Sequence, residues 1–346
     1  YKRQGKTTLL TFLAGQAMRH HDLKVFFFDR HRGAEIFTRA VQGAYVGFDG
    51  DEKNVSLNPF DCRNTPNNRA FLRRWLKAIT MVDDALSEKE IGRAVTTAFD
   101  YLKPEERILK NLYKSCFSPT GNMRRELFRW INPDQYGNIF NAENDSLDLA
   151  SKRFMAFDFT HIFEDETLAP AVISYIMHRI MAETGDTGVP SLIMIDETAP
   201  MLKHPMFRDY FIIGLQEGRK KRQAYLCAFQ QPNIIDKLGV GEVIRGQCQT
   251  VIFFRNPQAM PEDYANWNLT QREIDFIFGK SYRDFPYAIL LSRPATGESV
   301  ILDVDLSGLG PYLKLYNSGR KNVLLVEELI KEYGEANFVT KYLNIG

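Results

Sequence analysis

Cysteine is scarce in this chain, four in 346 residues, and the four stand 54, 111 and 21 positions apart. No two form a CxxC pair and no histidine sits at ligand spacing from them. That excludes a zinc site built from cysteine and histidine and suits reduced thiols. Long apolar runs are missing as well. No window reaches the ~18 uninterrupted apolar residues of a membrane span, and the basic, polar start has no signal-peptide core. The chain therefore reads as soluble. An excess of one charge is also lacking: 44 Lys and Arg stand against 43 Asp and Glu, a formal charge of +1. A strongly basic nucleic-acid binder is not expected from that balance. What is present is 44% hydrophobic residues, ample for a packed core, which excludes disorder. The length suggests two domains, or one large domain with an insertion.

The first 60 residues alternate helix and strand. Leu9, Phe12, Leu13 and Ala17 predict a helix over 6–19, and the run Lys24–Asp29 a buried parallel strand; a helix near 34–41 and a strand near 44–48 follow. Over 60–150 helical periods take over, at 71–82, 91–101 and 105–116. Ser87 with Glu90 reads as a capping box opening the second of these, and Pro104 sits in the first turn of the third. From 151 strands return, at 153–159, 191–195, 224–229, 251–254, 288–291 and 300–304, with helices near 168–183 and 205–221 and a closing helical stretch from 323. The expected organisation is an α/β core in two parts (1–60 and 151–310), an all-helical insertion (61–150) projecting from the sheet, and a C-terminal helical tail (311–346).

Three short motifs carry chemistry. Gly5-Lys6-Thr7-Thr8 at the start of the first helix is the second half of a phosphate-binding loop. Helix-terminal N–H groups hold phosphate oxygens there, Lys6 neutralises the β and γ phosphates, and the Thr7 hydroxyl ligates Mg²⁺. The first glycine of the full motif would precede residue 1, so loop residues are expected to be missing and the parent protein to be longer. The strand Leu192-Ile-Met-Ile195 ends in Asp196-Glu197: an aspartate for Mg²⁺ and a glutamate to polarise a water against the γ-phosphate. Ala224-Tyr-Leu-Cys-Ala-Phe229 ends in Gln230, placed to sense that phosphate. Arg219-Lys-Lys-Arg222, closing the helix before that strand, is either a set of helix-dipole partners or a source of an arginine finger for a neighbouring subunit. The first two motifs contain no Arg of their own, so that cation is expected from a neighbour.

The order of these and further motifs resembles the VirB-four/TrbE/CagE family of type IV secretion ATPases over nearly the whole chain. The residues are Phe28-Asp29-Arg30-His31-Arg32-Gly33-Ala34-Glu35-Ile36-Phe37, Leu127-Phe-Arg-Trp130, Asp196-Glu197-Thr-Ala-Pro-Met-Leu202, Arg219-Lys220 eleven positions before Gln230, Thr250-Val-Ile-Phe-Phe-Arg-Asn-Pro257, Asp263-Tyr264 and Asp305-Leu-Ser-Gly308. The resemblance implies a RecA-like P-loop NTPase domain of the additional-strand, HerA/FtsK-like type, serving as the C-terminal motor of an ATPase whose separate N-terminal domain is not represented. It implies ATP and Mg²⁺, held by Gly5, Lys6, Thr7 and Thr8 with Arg32, the metal by Thr7 and Asp196. Glu197 is the implied base and Gln230 the sensor, with Arg219, Arg222 and Arg255 as finger candidates. The implied partners are further copies in a hexamer, other secretion ATPases, inner-membrane components and a secreted substrate. The implied place is cytoplasmic and peripheral to the inner membrane; the near-neutral charge, not the resemblance, is the ground for expecting no stable nucleic-acid binding. A DNA-pumping hexamer of HerA/FtsK type and a nucleotide-binding scaffold without turnover are the alternatives.

Overall fold

The structure, a computed structural model, describes residues 5–48, 55–185 and 187–345. Tyr1–Gln4, which precede the Gly5-Lys6-Thr7 motif, lie outside the described residues. In Lys24–Asp29 (β1) every residue from Val25 onward is buried. Side chains alternate between the two faces of a strand, so a run buried at each position needs cover on both. Ala44–Gly47 (β2), Phe154–Asp158 (β3), Ser191–Ile195 (β4) and Gln223–Cys227 (β5) join it in one parallel sheet, in the order β2-β3-β1-β4-β5. Val25, Phe27, Ala156 and Met194 pack on one face, against Leu10 and Ala14 of the helix Lys6–Ala17. Phe26, Phe28, Phe157 and Ile193 pack on the other, against the helix Leu168–Gly185.

The last three strands do not join that sheet. Val251–Phe254 (β6), Ala288–Arg293 (β7) and Glu298–Asp303 (β8) make a separate antiparallel sheet in the order β6-β7-β8. The reason is visible in β8, which alternates exposed and half-buried residues before ending exposed. Such a strand can face a core on one side only, which suits an antiparallel sheet.

Between β2 and β3 the described regular elements are all helical, the α-helices being Pro66–Thr80, Ala85–Asp100, Leu109–Cys116, Asn122–Ile131 and Gly137–Phe140. Two local expectations are corrected. Asp84, not Ser87, caps the second helix, its Oδ1 accepting from Ser87 N at 2.9 Å, while Glu90 instead accepts from Ser118 N. An aspartate three positions earlier reaches the free N–H groups first. Pro104 opens a separate 3₁₀ turn, Pro104–Glu106, and the following helix starts only at Leu109 because Arg107 leaves helical geometry. Nor does the segment project from the sheet. Trp75 Nε1 donates to Ala171 O at 3.1 Å, and the Phe71 ring stacks on His178 at 3.8 Å. Both partners lie on the helix Leu168–Gly185, so the segment and the sheet share one core. Deleting it would uncover that core.

His178 gives this packing a pH signature. Its Nε2 donates to Asn68 Oδ1 at 2.8 Å, and the Tyr210 hydroxyl donates to its Nδ1 at 3.2 Å, an arrangement for a neutral ring. Burial, helped by Arg179 and Arg74, pushes its pKa down from 6.5 to about 3. The unfolded chain gains a proton below its ordinary pKa that the folded chain refuses, so stability falls as pH drops through this window, by about 1.4 kcal/mol per unit. Melting of the parent should therefore fall more steeply than that of His178→Gln on acidification from about pH 6.5 to about pH 4.5. Parallel slopes would contradict this account of the ring.

The C-terminal part docks back on the first α/β unit. A 3₁₀ run, Ser307–Tyr316, places Tyr316 against Phe37 at 5.2 Å. The helices Arg320–Tyr333 and Phe338–Asn344 bury Val323, Val326 and Phe338 around Ile36 of the helix Glu35–Ala40. No helix among the described residues is long and apolar enough to cross a membrane.

Candidate nucleotide site at the strand tips

Because β1, β3, β4 and β5 are parallel, their carboxyl ends share one edge of the sheet, the edge where open α/β folds bind ligands. Asp29 and Asp158 end β1 and β3 there, and Asp196 follows β4, its N–H donating to Phe28 O at 3.0 Å. The helix Lys6–Ala17 begins at the same edge, since Thr7 Oγ1 donates to Asp196 Oδ2 at 2.8 Å across 189 positions. Gly5 precedes it with φ of 76°, a left-handed conformation suited to glycine. Burial lowers the Lys6 pKa, against the pull of Asp196 and Glu197. Burial raises that of Asp196, opposed first by the Thr7 hydrogen bond. Thr8 Oγ1 turns the other way, to Tyr316 O at 3.4 Å.

Glu197 stands beside this pair with both oxygens engaged. Gln230, exposed beyond β5, donates from Nε2 to Oε1 at 2.6 Å, and the Arg30 guanidinium pairs with Oε2. Lys6, Thr7, Asp196, Glu197 and Gln230 thus converge from three separate stretches of sequence. Hard oxygen donors at Thr7 and Asp196 fit Mg²⁺, which takes one or two protein ligands and completes its shell with phosphate and water. The helix start at Gly5 with Lys6 fits a phosphate chain.

Other expected residues lie elsewhere. Arg219 and Arg222 precede β5, at the amino edge of the sheet, about 15–20 Å of strand away from the carboxyl edge. Arg219 is exposed, and Arg222, with φ of 55°, donates to Gly188 O at 3.2 Å. Arg255 follows β6 in the second sheet, over the Phe276 ring at 5.4 Å. Arg32 is tied by Nε and Nη2 to Glu35, and by Nη2 also to Glu327 of the C-terminal helix. Two glutamates hold it, which leaves it a brace between the loop and the tail.

Residues that sequence reasoning passed over complete the edge. Asp29 is fully buried and its carboxylate accepts from the N–H groups of Arg30 (2.8 Å), Gly33 (3.0 Å) and Ala34 (2.8 Å) and from the Tyr45 hydroxyl (3.0 Å). Burial pushes its pKa up, and Asp158 beside it adds to that, against the donors. The carboxylate shapes the loop that presents Arg30. Gly33 has no room for a side chain: a Cβ would lie 2.8 Å from Thr7 Cγ2 and 2.9 Å from Asp29 Oδ1. Arg30 brings to Glu197 an Arg that lies outside the first two motifs. The signals for it were its place directly after the strand-ending Asp29 and its presence in the motif Phe28–Phe37, neither of which names its partner.

No family model matches the chain. The type IV secretion protein VirB4 of Bartonella henselae is 29% identical over 337 residues, covering 95% of this chain and 42% of that protein. The solved structure of VirB4 from Thermoanaerobacter pseudethanolicus superposes with a TM-score of 0.69 at 12% identity, over 90% of this chain and 89% of that one. The chain is a homologue of the VirB4 proteins. It spans well under half the length of the Bartonella relative. The same fold extends to the plasmid coupling protein TrwB, solved with ADP and Mg²⁺, at a TM-score of 0.53 and 11% identity over 88% of this chain and 83% of that one. The architecture is therefore the RecA-like P-loop NTPase fold expected from the sequence, carrying the helical segment between β2 and β3.

Proposed function

We propose that this chain is the ATP-hydrolysing motor part of a type IV secretion ATPase. The observation that carries the reading is the convergence of Thr7 on Asp196 with Glu197 on Gln230 at the carboxyl edge of a parallel sheet. Gly5, Lys6, Thr7 and Thr8 would bind the phosphates and Thr7 with Asp196 the metal. Bound Mg²⁺ supplies charge neutralisation on the phosphate oxygens. Glu197 takes a proton from water as the water oxygen bonds the γ-phosphorus and the bond to the β–γ bridging oxygen breaks, releasing ADP and phosphate. Gln230 orients Glu197 and reports the terminal phosphate. TrwB, bound to ADP and Mg²⁺, supports this choice of ligands.

The further proposals follow the VirB4 likeness. The chain works in a hexamer, with other secretion ATPases and inner-membrane components as partners, on the cytoplasmic face of the inner membrane. There it energises pilus biogenesis or the export of protein or DNA. Arg219, Arg222 or Arg255 would act on a neighbour's site, because Arg219 and Arg222 lie far from their own chain's strand tips. The DNA-pumping alternative has only the shared fold of TrwB behind it. Phosphate release tests the reading: the parent should turn over ATP in a Mg²⁺-dependent way and Lys6→Ala should lose most nucleotide binding. Equal binding by Lys6→Ala would remove the phosphate-loop assignment, and ATP binding without release in the parent would favour the scaffold.

A further inference from the structure

A general base needs an oxygen free to take the proton of the attacking water within hydrogen-bond reach. Each Glu197 oxygen accepts one hydrogen bond, Oε1 from Gln230 and Oε2 from Arg30, and the Arg30 cation paired with the carboxylate makes it a weaker base. Release of the cation would restore that basicity and open Oε2, and Arg30 is the partner equipped to leave toward a phosphate. Its Nη1 serves Glu197, while its buried Nε has no hydrogen-bond partner among the described residues. Its guanidinium lies 5.3 Å over the Phe163 ring, and its ion pair with Glu197 is mostly withdrawn from water, with the Arg30 and Glu197 side chains 29% and 18% exposed. Charges so placed are screened little, and a guanidinium matches the oxygens of a phosphate two at a time.

The loop carrying Arg30 is also built against the phosphate side of the site. Gly33 presses on Thr7, and Asp29 pins the backbone N–H groups of Arg30, Gly33 and Ala34. With the backbone so held, the Arg30 side chain can change partner without moving the loop.

We propose that Arg30 is a latch on the general base, operated by the terminal phosphate of the nucleotide. It holds Glu197 Oε2 while that phosphate is absent. When ATP enters, the guanidinium transfers to the γ-phosphate, which frees Oε2 for the water and places a cation of the same chain on the developing charge. ADP, lacking that phosphate, leaves the latch closed. This rests on the ATPase reading above.

The test is equilibrium binding of a non-hydrolysable ATP analogue and of ADP to the parent, Arg30→Ala, Arg30→Lys, Glu197→Gln and the double variant Arg30→Ala/Glu197→Gln. Glu197→Gln removes the charge that competes for Arg30, so the analogue should bind about tenfold tighter while ADP is unchanged. That gain should vanish in the double variant. Arg30→Ala alone should weaken the analogue about tenfold or more relative to ADP, and Arg30→Lys should recover part of the preference because it keeps the charge. A gain from Glu197→Gln that survives without Arg30, or an unchanged preference in both Arg30 variants, overturns the latch alone. A parent that binds neither nucleotide overturns the ATPase reading together with it. Arg30→Lys carries the same comparison should Arg30→Ala fail to fold.

Discussion

Glu197→Gln is expected to bind ATP and to lose most of its turnover, by ~10²–10⁴-fold, because an amide cannot take the proton of the attacking water. The surroundings make this a clean substitution. Glu197 caps the helix Thr198–Leu202 without a side-chain hydrogen bond to it, and the strand tip is held by main-chain bonds from Thr198 N to Ala228 O (3.1 Å) and from Ala228 N to Ile195 O (2.9 Å). Nothing in the backbone therefore depends on the carboxylate, and the loss should appear in kcat rather than in folding. The check is single-turnover phosphate release beside equilibrium binding. Near-parent turnover would remove Glu197 from the role of base.

Subunit mixing is expected to restore activity between two inactive variants. A finger Arg supplied by a neighbour is worth ~10³–10⁵ in rate, so a chain lacking it should be nearly dead, as should Lys6→Ala for want of bound nucleotide. In an equal mixture, about a quarter of subunit interfaces in a closed ring join an intact site to an intact finger. Activity should return in that proportion for whichever of Arg219, Arg222 and Arg255 is the finger. Lys6→Ala mixed with Arg30→Ala should show no such return, because an in-chain latch never meets its partner across an interface and the intact site still lacks its own Arg30. No recovery for any of the three Arg, despite co-assembly, would place all site cations within one chain.

Much of this edge was legible in the sequence, for reasons that differ by residue. The run of Phe in β1 and the apolar β4 announce a doubly covered parallel strand at each position, so their boundaries follow from composition. Lys6, Thr7, Asp196, Glu197 and Gln230 are legible because phosphate and metal chemistry demands those residue types directly after strands or at a helix start. Arg30 was not, because an Arg following a strand reads as solvated, and its partner is 167 positions away. Arg32 illustrates the converse: its residue type suits a phosphate, but Glu327, 295 positions later, takes one of its prongs. The separate sheet of β6, β7 and β8 was missed because their sequences read as apolar runs; the alternation that sets β8 apart lies in its burial, not in the residues Val300-Ile-Leu302. The choice of sheet depends on which partner lies beside a strand, and periodicity carries no partner information. The docking of the helical segment was missed for a similar reason, since one apolar face per helix says that something covers it without saying what.

The central claim is that Thr7, Asp196 and Glu197 surround the reacting end of a bound nucleotide. A structure of this chain with Mg²⁺ and a non-hydrolysable ATP analogue tests it most directly. The account predicts the metal on Thr7 Oγ1 with Asp196 next to it, Lys6 on the phosphates, and Glu197 facing the terminal phosphate across a water. A nucleotide bound with its phosphates away from Lys6, or with Glu197 turned from the terminal phosphate while Mg²⁺ is in place, would contradict it.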